Sequence, residues 1–245
     1  MSAPTVLAVV PLAGSDPEFR GGLVPKLAGR SLLAYTHRAF AECARVDRVI
    51  LSTDSEAVAK AARRDGWDVP FLRPSTLGNP ETGITDVLRH AVEWFGTREE
   101  YLPDWVLMGT VTYPFRPAGF VERFIETVMA RDLDSAVAVV QERQAHWMVD
   151  DDGTPQLVTY GGHTPKAQKR TVYRELSGLV SLVRREVIRS GRLYGDRLGV
   201  IPVQDSMACV NIHDANGWAL AELLAPHGRR APAGTASRRK VSHGR

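Results

Sequence analysis

The feature that most constrains the fold is the segment 6–35, where an apolar run, a loop with glycines and an apolar helix start follow one another. The run is Val6 to Val10, and the loop contains four small residues, Gly14, Ser15, Gly21 and Gly22. A buried strand, a loop and a helix in this order are typical of the first unit of a nucleotide-binding α/β domain. Glycine lets backbone amides approach a phosphate, and the amides of a helix start attract its charge. The pattern is neither G-x-G-x-x-G nor a Walker A loop, so a nucleotide-binding loop and an ordinary surface loop fit it equally well.

Length and composition indicate one large α/β domain, or one domain with a small appendage, in a cytoplasmic protein. The 245 residues are 44% hydrophobic and 24% charged, which suits a globular domain with a sizeable core. No apolar run approaches the roughly 20 residues that a membrane span needs, and no basic residue precedes the first apolar run as in a secretory signal. Cys43 and Cys209 have no metal-like spacing, so we expect reduced thiols.

The net charge of +3 is a property of the C-terminal tail. Residues 226–245 contain six basic side chains and no acidic one, which leaves 25 basic against 28 acidic residues in the rest of the chain. This balance argues against a nucleic-acid-binding body. The tail is rich in Gly, Pro, Ala and Ser, so we expect residues 226–245 to be disordered and residues 1–225 to form the domain.

Strand and helix patterns alternate through the first half of the chain. The predicted strands or extended segments are Val6–Val10, Arg48–Thr53, Val69–Pro74 and Trp105–Met108. Helical patterns lie between and after them. Two of these helices are predicted at 31–44 and 117–130, and a third at 56–65 with Ser55 as its N-cap. Another helix is predicted to start at Thr82 or Thr85 as its N-cap and to extend to Phe95. This alternation predicts an α/β fold with a mostly parallel sheet and helices on both faces.

The pattern changes after Ala130. Strands are predicted at 135–140, 179–183, 199–203 and 208–210, and helices at 184–190 and 215–224. Trp147–Val149 and Gln156–Val158 flank Asp150-Asp151-Asp152-Gly153, which indicates a β-hairpin. Three adjacent aspartates suggest a metal site, but they are ordinary turn residues and successive side chains diverge, so we interpret them as a turn. A basic, irregular loop is expected at 161–174.

The order of these segments resembles the acylneuraminate cytidylyltransferase family, the enzymes that make CMP-activated sialic acids and related acidic sugars. The matching segments are Leu27–Thr36, Asp47–Ser55, Val69–Pro74, Glu81-Thr82 with Asp86–Leu88, Pro114–Arg116, and Tyr173–Glu175 with Gly178. The resemblance implies a Rossmann-like nucleotidyltransferase fold, usually dimeric, with a small β element that reaches the partner subunit. The hairpin and loop at about 141–175 would be that element.

The resemblance also implies a reaction and a set of site residues. An acidic sugar's anomeric hydroxyl attacks the α-phosphate of CTP and releases pyrophosphate, usually with Mg²⁺. The expected nucleotide-binding residues are Leu12, Ala13, Gly14, Ser15, Gly22, Arg73 and Thr110, and the expected catalytic residues are Lys26, Arg20 and Asp214. Lys166, Gln168, Arg170 and Tyr173 would bind the acidic acceptor, and Asp214 with His213 would bind the metal. Arg73 and Arg116 match family arginines and are equally compatible with surface ion pairs.

The chain departs from the family at three places. Ala13 and Asp16 stand where the phosphate loop has arginine and lysine, and Thr110 replaces a glutamine. Asn211-Ile212-His213 replaces an Asp-x-Asp metal pair, and amide or imidazole groups bind Mg²⁺ less well than carboxylates. Two hypotheses follow. The chain is a cytidylyltransferase acting on a small acidic acceptor, a nonulosonic acid or a phosphonate, or it has lost catalysis and serves as a nucleotide-binding or partner subunit.

Overall fold

The structure is a computed structural model that describes residues 4–16, 24–79, 81–159, 164–165 and 171–225. The helices are α1 (Leu32–Ala41), α2 (Glu56–Arg64), α3 (Ile84–Arg98), α4 (Phe120–Ala130), α5 (Arg185–Arg189) and α6 (Ala215–Leu224). The first strands are β1 (Val6–Pro11), β2 (Lys26–Leu27), β3 (Arg30–Ser31), β4 (Arg48–Ser52), β5 (Trp105–Met108) and β6 (Ser135–Glu142). The later strands are β7 (Trp147–Val149), β8 (Pro155–Leu157), β9 (Val172–Glu175), β10 (Ser181–Arg184) and β11 (Leu198–Pro202). The tail predicted to be disordered lies outside the described residues.

The central sheet is mixed and mostly parallel, as the sequence predicts. Its strand order is β11-β6-β10-β5-β1-β4, and β9 pairs with β6 beyond the end of β10. Strand β1 is parallel to both β4 and β5, and β6 is parallel to β11. Strand β10 is antiparallel to its neighbours β5 and β6, and β9 is antiparallel to β6. The short pairs β2–β3 and β7–β8 lie outside this sheet.

Helices cover both faces of the sheet because β1 is apolar at every core position. Val6 to Val10 are fully buried, and successive side chains point to opposite faces. On one face, Val6, Ala8 and Val10 share a core with α1, α2, α4 and α6. On the other face, Leu7 and Val9 pack with Leu88 and Phe95 of α3 and with α5. The predicted α/β architecture is therefore confirmed.

Three local expectations were wrong. Residues 208–210 are not a strand; Ser206–Cys209 is a short 3₁₀ helix whose Met207 amide donates to the Asp205 side chain. The expected irregular loop 161–174 ends in β9, whose polar sequence takes its extended form from pairing with β6. Helix α3 begins after Gly83, without a side-chain cap from Thr82 or Thr85. The predicted cap Ser55 is confirmed, since its hydroxyl accepts from the Val58 amide of α2 at 3.4 Å.

The hairpin β7–β8 is confirmed. The turn uses Gly153 at φ 86°, a left-handed conformation that favours glycine, and the Gly153 amide donates to the Asp150 carbonyl. None of the helices in the described part of the chain has the length and apolar character needed to cross a bilayer.

Candidate nucleotide site

The candidate site lies where β1, β4 and β5 end. Parallel pairing places the ends of these three strands, Pro11, Ser52 and Met108, at one edge of the sheet. Ligands of such sheets bind in the crevice outside the carboxyl ends of the strands. Two groups of segments form this edge. We name residues 12–16, 53–55 and 73–78 the β4 rim, and residues 109–116, 176–180 and 211–214 the β5 rim.

Three hydrogen bonds fix the loop after β1, residues 12–16, to the end of β4 and to the other segments of the β4 rim. The Leu12 amide donates to the Ser52 carbonyl at 3.0 Å, and the Gly14 amide donates to Asp54 Oδ1 at 2.9 Å. The Ser15 hydroxyl donates to the Gly78 carbonyl at 2.8 Å. The predicted phosphate-loop residues 12–15 therefore lie together across the end of β4.

Two glycines make this close approach possible. A Cβ on Gly14 would lie 2.6 Å from the Cβ of Ser55, and a Cβ on Gly78 would lie 2.1 Å from Asp54 Oδ2. Contacts this short would force the Ser55 or Asp54 side chain to shift. The β4 rim is therefore packed tightly around the Asp54 carboxylate.

Arg73 is buried beneath the β4 rim and paired with an acid. Its side chain is 3% exposed, and its Nη2 lies 3.7 Å from Asp54 Oδ1. Its Nη1 donates to the Ser52 carbonyl at 3.1 Å, and its amide donates to the Thr53 carbonyl at 2.9 Å. Burial lowers the pKa of Arg73, while Asp54 raises it. Arg73 therefore holds the end of β4 through interior contacts, and its expected role with a nucleotide stays a prediction.

The β5 rim is organised around Thr110 and Gly178. The Thr110 amide donates to the Gly178 carbonyl at 2.7 Å, and the Thr110 hydroxyl is 2.8 Å from the hydroxyl of Thr112. Gly178 has φ 97°, and a Cβ there would lie 2.4 Å from Thr110 Oγ1. The Ile212 amide donates to the Thr112 carbonyl at 2.9 Å, which places the segment 211–214 beside the end of β5.

Arg116 ties the β5 rim together. Its Nη2 donates to the carbonyls of Thr110 at 2.6 Å and Gly178 at 2.8 Å, and its Nε donates to the Leu179 carbonyl at 2.7 Å. Its Nη1 donates to the Tyr113 carbonyl at 2.6 Å and to the Thr36 hydroxyl of α1 at 3.1 Å. These contacts match the five N–H donors of a guanidinium. Burial lowers the pKa of Arg116 to about 9, so the group stays charged at neutral pH.

The predicted metal ligands lie at the start of α6. Asp214 is exposed, and its Oδ1 caps the helix by accepting from the Gly217 amide at 2.7 Å. A Cβ on Gly217 would lie 2.1 Å from the Asn211 carbonyl oxygen, so the helix start packs tightly on this segment. Within the described residues, no group of three or more His, Cys, Asp and Glu side chains is arranged to hold a metal ion. Within segment 211–214 of the β5 rim, the carboxylate that could bind a metal ion is that of Asp214.

The remaining predicted residues are dispersed or lie outside the described residues. Lys26 is exposed on β2, where it pairs with Ser31, and it forms no ion pair with the described part of the chain. Tyr173 is 40% exposed on β9 and pairs with Gln141 of β6. Five predicted site residues lie outside the described residues, namely Arg20, Gly22, Lys166, Gln168 and Arg170.

The structure adds two residues whose roles the sequence did not reveal. Asp54 fixes the loop after β1, and Arg116 fixes the β5 rim. The interpretation of Arg73 and Arg116 as surface ion-pair partners does not hold, since Arg73 is buried with Asp54 and Arg116 bonds carbonyl and hydroxyl oxygens. In the sequence, Arg73 and Arg116 could be recognised by their positions in the matching segments Val69–Pro74 and Pro114–Arg116.

Sequence comparison supports the resemblance. No model of a known protein family matches the chain. The chain is 21% identical over 224 residues to the CMP-N,N'-diacetyllegionaminic acid synthase of Legionella pneumophila subsp. pneumophila, covering 89% of this chain and 95% of that protein. It is 33% identical over 131 residues to the 2-C-methyl-D-erythritol 4-phosphate cytidylyltransferase of Ralstonia nicotianae, covering half of each chain.

Solved structures show the same fold. The CMP:2-keto-3-deoxy-manno-octonic acid synthetase in complex with CTP superposes with a TM-score of 0.62 at 14% identity, over 91% of this chain and 99% of that chain. The 4-diphosphocytidyl-2C-methyl-D-erythritol synthase of Anaerococcus prevotii also gives 0.62 at 14% identity, over 91% and 96%. Together these comparisons confirm that this chain resembles cytidylyltransferases weakly in sequence and shares their fold.

Proposed function

We propose that this protein transfers CMP from CTP to a small acidic acceptor and releases pyrophosphate. The observation that carries the proposal is the loop after β1, which lies across the strand ends of a nucleotidyltransferase fold in a chain similar to a CMP-sugar synthase along nearly its whole length. The relatives are named for CMP transfer to two kinds of acceptor, an acidic sugar and a sugar-alcohol phosphate. This is why we propose CTP as the nucleotide.

The phosphates would lie between the two rims. Residues 12–15 and Gly22 would contact them, with Lys26 and Arg20 as cations, and Thr110 would face the nucleotide from the end of β5. Because the Leu12 and Gly14 amides already donate to Ser52 and Asp54, the amides of Ala13 and Ser15 would bind the phosphate oxygens. An acceptor oxygen, either a hydroxyl that gives up its proton or an anionic phosphonate oxygen, attacks the α-phosphorus. The P–O bond to the bridging oxygen breaks, and pyrophosphate leaves with the electron pair of that bond. Positive charge near this oxygen stabilises the leaving group.

The segment 211–214 offers a magnesium ion one carboxylate, that of Asp214. Mg²⁺ in nucleotide sites is usually held by one or two carboxylates together with phosphate oxygens. Asp214 beside the β5 rim would supply the carboxylate through the oxygen that does not cap α6, with His213 next to it. The ion would neutralise phosphate charge when bound.

The acceptor would approach from the side of β9. Tyr173 is exposed there, and Arg174 lies 3.5 Å from Glu142 of β6. The expected contacts Lys166, Gln168 and Arg170 supply positive charge and an amide, which suits a carboxylate or a phosphonate. We propose a nonulosonic acid or a phosphonate as the acceptor class.

We also propose a cytoplasmic homodimer that pairs through the hairpin β7–β8. The hairpin exposes large apolar side chains, with Trp147 61%, Met148 51%, Val149 65% and Leu157 39% exposed. A cluster of this kind is typical of a protein–protein interface. Trp147→Ser should shift the protein from dimer to monomer in sedimentation velocity. Leu223→Ser on α6, where Leu223 is 68% exposed, should leave the dimer intact and is the matched control.

Pyrophosphate release tests the proposed reaction. The protein would be incubated with CTP, Mg²⁺ and a panel of nonulosonic acids and phosphonates, with UTP, GTP and ATP in parallel. We expect release that requires both CTP and one acceptor. Asp214→Ala should lower the rate by tenfold or more, whereas Asp151→Ala in the hairpin turn should leave it unchanged. Release that is independent of the acceptor, or equal with all four nucleotides, would contradict the proposal.

A second function, a nucleotide-binding or partner subunit without catalysis, is favoured by one observation. The Gly14 amide, which a phosphate would need, already donates to Asp54, and Asp16 adds a second acid to this loop. CTP binding without any pyrophosphate release across the acceptor panel would favour this function.

A further inference from the structure

Arg116 is a partly buried cation whose guanidinium N–H groups all bond protein atoms, and it has no acidic partner among the described residues. Its five donors go to four main-chain carbonyls and one hydroxyl, and its guanidinium carbon lies 5.0 Å from the centre of the Phe40 ring. Among the described residues, no carboxylate forms an ion pair with it. A buried charge is costly unless another charge compensates it, because the surrounding medium screens it poorly.

Arg116 lies directly behind the end of β5. A Cβ on Gly109 would be 3.0 Å from Arg116 Nη2, and the same Nη2 donates to the Thr110 carbonyl. The guanidinium has no donor left for a ligand. Arg116 would therefore act on a ligand indirectly. It would fix the backbone of the β5 rim, and the positive charge of its guanidinium would attract an anion nearby.

Arg73 shows what a compensated arginine looks like in the same molecule. Its Nη2 faces the Asp54 carboxylate at 3.7 Å, so the β4 rim carries no net charge from this pair. The loop after β1 has Ala13 and Asp16 and adds no positive charge within the described residues 12–16. Arg116 therefore differs from Arg73, because no carboxylate of the described residues forms an ion pair that offsets its charge.

We infer that Arg116 is a positioning residue whose uncompensated charge selects a polyphosphate at the end of β5, so that the anionic ligand is its counter-charge. The inference rests on the proposed nucleotide site but goes beyond it, because it assigns the phosphate preference to a residue that does not touch the ligand. A neutral nucleoside gains nothing from this charge, whereas a triphosphate does.

The test separates charge from geometry with two substitutions. Arg116→Lys keeps the charge and loses the fork of donors, whereas Arg116→Met loses both. Binding of CTP, sodium tripolyphosphate and cytidine would be measured by calorimetry for each variant and for the wild type. Circular dichroism and thermal melting would establish that each variant is folded.

We expect Arg116→Met to lower the affinity for CTP and for tripolyphosphate by about tenfold or more and to change the affinity for cytidine by less than threefold. Arg116→Lys should keep polyphosphate affinity within about threefold. The matched control Arg184→Met removes a cation that also lies over an aromatic ring, 4.5 Å from the centre of Trp105 at the other end of β5, and it should change the ratio of CTP to cytidine affinity by less than twofold. If Arg116→Met does not fold, the ratio in Arg116→Lys decides, and it must stay near the wild-type ratio.

Several results would overturn the inference. Equal losses for cytidine and CTP in Arg116→Met would mean that Arg116 only shapes the rim. Loss of polyphosphate preference in folded Arg116→Lys would have the same meaning. If the wild type binds tripolyphosphate in an Arg116-dependent way but shows no preference for CTP, the proposed function fails and this inference stands. If CTP binds without dependence on Arg116, the inference fails alone, and if no polyphosphate binds, both fail.

Discussion

The two rims of the site are built on the same plan with opposite electrostatic results. Each rim has an arginine that bonds main-chain carbonyls at the end of a parallel strand, the buried Arg73 at β4 and the partly buried Arg116 at β5. Arg73 is neutralised by Asp54, while Arg116 has carbonyl and hydroxyl oxygens as its hydrogen-bond acceptors. The comparison shows that an arginine that matches a family motif in the sequence does not by itself reveal its hydrogen-bond partners or whether an acidic residue neutralises its charge. The position of the nearest carboxylate in the fold decides both.

The largest effect should come from removing the guanidinium of the β5 rim. Arg116→Met leaves the carbonyls of Tyr113 and Leu179 without this donor and removes five hydrogen bonds, so we expect the free energy of unfolding to fall by about 3 kcal/mol. Urea denaturation measures the change. Arg73→Met removes one carbonyl bond and one ion pair and should cost less, about 2 kcal/mol. A larger loss at Arg73 would break the comparison.

The next effect concerns the glycine that closes the β5 rim. Gly178→Ala combines a left-handed φ of 97° with a Cβ 2.4 Å from Thr110 Oγ1, and we expect a loss of about 2 to 3 kcal/mol. Gly66→Ala is the control, because Gly66 has φ 86° and no heavy atom within 4 Å of the added Cβ. That control carries only the backbone strain, about 1 kcal/mol. Equal melting temperatures for the two variants would show that the contact with Thr110 is unimportant.

A smaller effect should come from the charge of the β4 rim. Asp54→Asn keeps an oxygen for the Gly14 amide but removes the charge beside Arg73, so we expect a loss of about 1 kcal/mol. Asp54→Ala also removes the acceptor and should cost about 2 kcal/mol. Chemical denaturation compares the three proteins. An asparagine variant as unstable as the alanine variant would mean that the charge, rather than the hydrogen bond, holds this rim.

The smallest effect is a pH dependence from His90 of α3, which lies near Arg73 of the β4 rim. Desolvation lowers the pKa of His90 below 6.5, the nearby Arg73 lowers it further, and Glu93 opposes the shift. The unfolded state therefore binds the proton more readily than the folded state, and stability falls as the pH drops below about 6.5. His90→Gln should reduce this slope in unfolding experiments between pH 5 and 7. An unchanged slope would assign the acid sensitivity to another group, such as His37, whose pKa is also lowered by burial.

The fold could be predicted because its core strands are apolar runs. Val6–Val10 and Trp105–Met108 have no polar residue, so burial on both faces follows from their composition. Strand β9 could not be predicted in this way, since its residues Val172–Glu175 are mostly polar and take their form from β6. The 3₁₀ helix Ser206–Cys209 was missed for a similar reason, because its apolar residues resemble a short strand.

The candidate site was predicted in part. Residues 12–15 and Thr110 follow the ends of β1 and β5, and parallel strands bring such loops to one edge, while their contact with a nucleotide stays a prediction. The hydrogen bond from the Gly14 amide to Asp54 was not predicted, because the two residues are 40 positions apart. The role of Arg116 depends on carbonyls of residues 110, 113, 178 and 179, and a carbonyl leaves no trace in the sequence.

Calorimetry with CTP is the most direct test of the central claim, that the edge formed by β1, β4 and β5 binds this nucleotide. CTP, UTP, GTP and ATP would be titrated with and without Mg²⁺ into the full chain. The account predicts that CTP binds most tightly, that Mg²⁺ strengthens binding, and that Gly14→Val, which forces the loop away from Ser55, abolishes it. Absence of binding by all four nucleotides at millimolar concentration would contradict the account.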